Sequence, residues 1–298
     1  MTAYVYDLGK VSLLLFQLLQ EQGNENARLW LEKRRQIQES DNSMQQYLLT
    51  FTAIPRFIGK QPVSVSEETA NALQKEIPEL FVYDWTLDRL ARAWWLLLLP
   101  ADDKSFYLQQ VENLFNGAEM NELATLYSAL PLLAYPEEWV ARTAEGIRSN
   151  IGPVQEAIMV RNPYPAQYLP EAAWNQLVMK AIFTDKPLQY IYGLSNRANA
   201  TLAAIIVDFA HERQAAGRSV NPLQWQLLSQ FLNEGNFSDI SRLWNSALNV
   251  EKEAAALVCS QSNYMPAKEL LAQAPEINQE ISQGTISWNT IAQKISLQ

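Results

Sequence analysis

Residues 196–216 read NRANATLAAIIVDFAHERQAA, and the spacing of apolar residues in this stretch decides the class of fold. At 100° per residue, Ala198, Leu202, Ile205 and Phe209 form one apolar stripe, while Ala200, Ala203, Val207 and Ala210 form a second. A helix with two apolar sides is expected to be packed on both, as an inner helix. The same 3-and-4 spacing recurs at Leu14, Leu15, Leu18 and Leu19, at Leu87, Leu90, Ala91 and Trp94, and at Leu123, Leu126, Tyr127 and Leu130. Sustained alternation with period two is almost absent. Gly23, Gly59, Gly117, Gly193, Gly217 and Gly235 fall between the periodic runs, and Asn221-Pro222 has the form of an N-cap followed by proline at the first helical position. An all-α chain of about fifteen short helices, each roughly 10 to 15 residues long, follows.

An internal echo refines this expectation. Leu114-Phe115-Asn116-Gly117, then Glu122-Leu123 and Leu126 to Leu130, is matched by Phe231-Leu232-Asn233, Gly235, then Asp239-Ile240 and Leu243 to Leu248. Two like units separated by three repeat lengths of about 40 residues suggest stacked helical hairpins, a HEAT/armadillo-like α-solenoid. No Gly/Ser-rich linker divides the chain, so residues 1–298 are read as a single all-α domain. A loop expected from Ala53 to Ser66, with Pro55, Gly59 and Pro62, marks residues 1–60 as N-terminal helices that could form a loosely attached subdomain.

Composition excludes several functions. Hydrophobic residues make up 48% and charged residues 18%, with 10 Gly and 14 Pro, the balance of a globular protein. The 23 Lys and Arg against 32 Asp and Glu give a net charge of −9, which repels a phosphate backbone, so no nucleic-acid partner is expected. The single cysteine, Cys259, lies in an alanine-rich run and reads as a small buried hydrophobe in a reducing, cytoplasmic setting. The apolar run from Val11 to Leu19 lies between Asp7 and Glu21 without a cleavage site, and reads as a helix, not a signal peptide. Trp94 to Leu99 ends at Pro100, too short to span a bilayer, so no transmembrane segment is expected. With one histidine, His211, zinc HExxH sites and paired di-iron ExxH sites are excluded. A Mg²⁺ or Mn²⁺ site using Asp208, His211 and Glu156 or Glu212 stays open.

A third stripe, Arg197, Thr201, Ala204, Asp208 and His211, brings a carboxylate and an imidazole one turn apart. Asp208 could orient His211 as a general base. Equally, His211, Arg213 and Arg218 could simply face the helix dipole, with Asp208 paired to an arginine. The loop Arg161-Asn162-Pro163-Tyr164-Pro165 precedes a helix carrying Asn175 and Lys180 among Leu177, Val178, Ala181 and Ile182. An amide at Asn175, on the side of Val178 and Ile182, needs a partner, either backbone or ligand. As a ligand site, Arg197, Lys180 and Arg218 would hold phosphate or hydroxyl groups, Asn162 and Asn175 would orient them, and Tyr164 would cover the pocket.

The blocks Arg148-Ser149-Asn150, Asn162 to Pro165, Ala173 to Lys180, Arg197-Ala198-Asn199 and Asp208 to Arg218 resemble the EboA family, best over residues 114–225. Gln214 departs from the family pattern, which has a bulky, often aromatic residue there. The resemblance implies a place beside a UbiA-like prenyltransferase, a sugar-phosphate cyclase, a TatD-like hydrolase and a sugar isomerase-like protein, in the making or export of a secondary metabolite. It implies sugar-phosphate, cyclitol or prenylated ligands. A soluble accessory protein binding a small polar intermediate or a pathway partner is therefore expected. The alternatives are an enzyme acting on a sugar-like hydroxyl or phosphate through Asp208 and His211, and a ligand-free scaffold.

Overall fold

The computed structural model describes residues 3–41 and 43–297. Seventeen α-helices and four 3-10 segments are the regular elements among them, joined by one isolated antiparallel bridge, Pro62 to Thr86. The chain is all-α. It divides into two compact units, residues 1–174 and 175–298.

The first unit holds α1 (Leu8–Gln22), α2 (Glu25–Asp41), α3 (Met44–Ile58), α4 (Glu67–Glu76) and α5 (Leu87–Leu96). It continues with α6 (Lys104–Gly117), α7 (Met120–Ser128), α8 (Val140–Arg148), α9 (Gly152–Met159) and α10 (Tyr164–Tyr168). At its centre is α5, against which α1, α3 and α7 pack. Nine of its ten residues are buried, including the ring systems of Trp94 and Trp95 and, unusually, Asp88 and Arg92. Burying each large apolar side chain here contributes about 1.5–3 kcal/mol. The helix tightens into i→i+3 bonds over Leu97, Leu98 and Leu99, ahead of Pro100, which cannot continue it.

Helix α3 differs from expectation in an informative way. The loop expected from Ala53 begins only at Gly59, because the helix continues through Pro55 to Ile58. Proline at 55 has no N–H to donate to the Phe51 carbonyl four residues back. That orphaned carbonyl instead accepts the buried Arg92 Nε at 3.0 Å, and Arg92 Nη2 pairs with Glu122 Oε1 at 3.0 Å. Glu122 Oε2 in turn accepts the Glu119 N–H, completing the capping box of α7. One guanidinium thus ties α3 to α7 through α5.

Helix α11 (Glu171–Phe183) crosses the boundary between the units. The second unit contains α12 (Ala200–Ala215), α13 (Phe237–Trp244), α14 (Asn249–Gln261), α15 (Met265–Ala272), α16 (Pro275–Ser282) and α17 (Trp288–Ser296). Its centre is the 3-10 segment Pro222–Phe231, contacted by α12, α14 and α17, with Leu223 to Ser229 all buried. Asn221 caps it as expected, accepting from the Leu223 N–H, although the helix it starts is 3-10 and not α. Cys259 is buried in α14, and loss of hydration pushes its thiol up to about 12. The thiol stays protonated near pH 8, so the native protein is expected to give no colour with a disulfide thiol reagent, and one equivalent once unfolded in guanidinium. One equivalent released rapidly from the native protein would contradict this burial.

The stretch 196–216 is corrected in two respects. The helix starts at Ala200, because Asn199 takes the N-cap and its side chain accepts the Leu202 N–H. It is also not apolar on two sides: Leu202, Ala203, Ile206, Phe209 and Ala210 are buried, whereas Ala200 and Ile205 are exposed. The inner edges of the two expected stripes, Leu202 and Ala210, lie only about 80° apart on the wheel and merge into one buried face. The chain leaves this helix through Gly217, whose positive φ lets its N–H reach Gln214 O while the Arg218 N–H reaches Arg213 O.

Candidate functional site

The merged face of α12 leaves the stripe of Asp208 and His211 on the solvent side, and both residues are exposed. His211 Nε2 meets not Asp208 but Asp239 Oδ1 of α13, at 2.8 Å, and the same oxygen accepts Arg242 Nη2 at 2.9 Å. Asp208 makes no hydrogen bond or ion pair among the described residues. Asp239 is buried and occupies the position that Glu122 holds in the internal echo, each an acid in the first turn of its helix with basic partners. Among the described residues no three His, Cys, Asp or Glu side chains gather as metal ligands, so the divalent-ion arrangement at Asp208 and His211 has no donor set.

The other selected residues are placed as follows. Asn175 and Asn199 exchange amide hydrogen bonds at 3.2 and 2.8 Å, which satisfies the buried amide with the capping residue of α12. Asn162 donates to Tyr127 O and Ala157 O and accepts from the Tyr164 N–H, tying together the ends of α7 and α9 and the start of α10. Tyr164 is fully buried with its hydroxyl on Pro136 O, so its ring is core and not a cover. Lys180 and Arg197 are both engaged within the protein, and Arg197 lies before α12 and not on its stripe. Arg218 is exposed.

Around Asn162 the first unit opens a cavity of about 300 Å³. Its wall is formed by the chain entering α5 (Leu80, Phe81, Asp84, Trp85), by Arg89, by Ser128 and Pro131, and by the segment from Pro153 to Pro163. Four charged side chains reach it: Asp84, Arg89, Glu156 and Arg161. Arg161 Nη1 meets Asp84 Oδ2 at 3.0 Å, from a residue held at φ 52°, an uncommon left-handed conformation for a non-glycine.

Arg89 is the one residue of α5 that is not buried, and its guanidinium forms no hydrogen bond or ion pair among the described residues. Loss of hydration pulls its pKa below the ordinary value, and the nearby charges of Asp84, Asp88 and Glu156 oppose that pull. An arginine stays charged under these conditions. The cavity therefore presents a partly dehydrated cation beside two carboxylates, groups suited to an anionic substituent and to donating hydroxyls. Reading the sequence for stripes missed Asp84, Arg89 and Asp239. For Arg89 the available signal was the run from Leu87 to Leu99, where Asp88, Arg89 and Arg92 interrupt otherwise apolar residues; Asp84 and Asp239 lie outside that run.

These features define a class: an all-helical protein with a small, charge-lined cavity and no assembled metal cluster among its described residues. A family model described as "Metabolite traffic protein EboA" matches residues 11–229. The chain belongs to the EboA family, and its role is accordingly one connected with metabolites. No curated protein and no solved structure matches it.

Proposed function

We propose that the cavity of the first unit binds a small polar metabolite, with an anionic group on Arg89 and hydroxyl groups on Asp84 and Glu156. The observation that carries this reading is a charged, partly dehydrated guanidinium with no hydrogen-bond partner, in a cavity at the lower end of the size range of ligand sites. Sugar phosphates and cyclitol phosphates combine the two kinds of group. In this reading the protein is a cytoplasmic accessory component of a pathway that makes or exports a secondary metabolite, working beside a partner such as a UbiA-like prenyltransferase. Family membership supports that setting. No helix among the described residues is long and apolar enough to cross a membrane, which is compatible with it. The stacked-hairpin arrangement is part of the same proposal, supported by the echo and by the packing of α8 on α9, α13 on α14 and α14 on α15.

Calorimetric titration with glucose 6-phosphate, inositol 1-phosphate, myo-inositol and inorganic phosphate tests the site. At least one of the two organic phosphates is expected to bind more tightly than either myo-inositol or inorganic phosphate. Arg89→Met is expected to weaken it by about tenfold or more, the magnitude of one charge-assisted contact. Equal binding by wild type and Arg89→Met, or no binding of any of the four, overturns the assignment.

A further inference from the structure

The 3-10 segment Pro222–Phe231 runs for ten residues, although such helices are seldom longer than three or four. It carries three buried polar side chains, and their treatment differs. Gln226 donates to Leu223 O at 2.7 Å and accepts from Ser195 Oγ at 2.9 Å, and Ser229 bonds Gln261 Oε1 at 3.2 Å. Gln224 is fully buried, and neither its Nε2 nor its Oε1 has a hydrogen-bond partner among the described residues. A buried amide with both ends unmet costs stability, because it has given up its water without replacement.

Gln224 lines a cavity of about 280 Å³ in the second unit. Ile182, Phe209, Val220 and Leu248 supply an apolar wall. Asp185, Glu251 and Arg213 are its charged groups. Arg213 is already committed, its Nε on Ser219 O at 2.6 Å and its guanidinium 5.7 Å from the Phe209 ring centre. Asp185 makes no side-chain bond among the described residues and sits at φ 51°. Two carboxylates against one engaged cation disfavour an anionic ligand.

We propose that this cavity is a second ligand site, independent of the Arg89 cavity, for a small molecule with an apolar ring or chain and a neutral group that both donates and accepts a hydrogen bond, as a carboxamide does. With its side chain rotated out toward the cavity, Gln224 would bond that group through both ends of its amide, while the hydrocarbon part lies against Phe209, Val220 and Leu248. The unmet amide in the free protein is then a binding determinant held at a cost in stability.

Benzamide, with benzoate for comparison, is the probe. In ¹H–¹⁵N spectra, benzamide is expected to shift the Gln224 side-chain NH₂ pair, identified by its disappearance in Gln224→Leu. Benzoate, charged and lacking a donor, should bind at least tenfold more weakly. Gln224→Leu should bind benzamide at least tenfold more weakly yet melt at a higher temperature than wild type, since leucine needs no partner there. Leu248→Trp, at the exposed rim, should block the benzamide shift without unfolding the protein. Three results overturn the proposal: a Gln224 NH₂ signal indifferent to benzamide up to its solubility limit, undiminished binding by Gln224→Leu, or a lower melting temperature for Gln224→Leu, which would mean that the amide is satisfied structurally.

Discussion

Replacing Arg92 with leucine is expected to lower the free energy of unfolding by about 3–5 kcal/mol, the range found when one partner of a buried ion pair is removed. Arg92 is 2% exposed, and its guanidinium has two tasks. It neutralises Glu122, whose side chain is 8% exposed, and it caps the Phe51 carbonyl that Pro55 leaves without an N–H. Leucine would strand both groups away from water. Urea unfolding followed by circular dichroism measures the loss. A second substitution makes the argument specific: Pro55→Ala restores a backbone N–H four residues after Phe51. In the Arg92→Leu background it should regain about 1 kcal/mol, the worth of one hydrogen bond, and it should help less where Arg92 is intact. A loss below about 1 kcal/mol for Arg92→Leu, or strict additivity with Pro55→Ala, would show that the guanidinium does not bind that carbonyl.

Trp95→Ala is expected to cost about 3–5 kcal/mol as well, by a different route, the opening of a cavity in a close-packed core. Trp95 is fully buried and its ring stacks on Tyr47 with centroids 5.5 Å apart. The two residues also bond each other twice: Trp95 Nε1 donates to Tyr47 O at 3.2 Å, and the Tyr47 hydroxyl donates to Trp95 O at 3.1 Å. Burial pushes that phenol well above its ordinary pKa, so it stays a donor across the working pH range. Trp95→Phe keeps most of the volume, losing the indole N–H and part of the fused ring, and should cost about a third of the alanine loss. Thermal and urea unfolding of the pair separate the packing contribution from the hydrogen bond. If alanine and phenylalanine cost the same, the space around Trp95 has collapsed and the cavity argument fails.

Much of the backbone is legible in the amino-acid order. The 3-and-4 spacing specified an all-helical chain, Asn221 marked a cap, Gly217 marked a helix end, and the alanine-rich run placed Cys259 inside. These are local properties, set within one or two turns by propensity, capping and burial of one face. Membership of the EboA family was legible for the same reason, since the resemblance rests on stretches contiguous in the chain and the family model matches residues 11–229. The wheel failed where two apolar arcs lay close enough to fuse, as on α12. There Asp208 and His211 were correctly placed on one face, but the face proved to be the one turned to solvent.

Which charged groups meet was a different matter. His211 finds Asp239, 28 residues away, instead of Asp208; Arg92 finds Glu122 across 30 residues, and Arg161 finds Asp84 across 77. Periodicity reports the angle of a residue on its own helix. It carries no information on the crossing and register of two helices, which depend on how many side chains pack between them and on the path of the loops. Helicity, caps and the burial of Cys259 therefore belong to the amino-acid order, whereas the Arg89 cavity, the unmet Gln224 amide and the Arg92 clasp arise only once separate helices have docked and excluded water from between them.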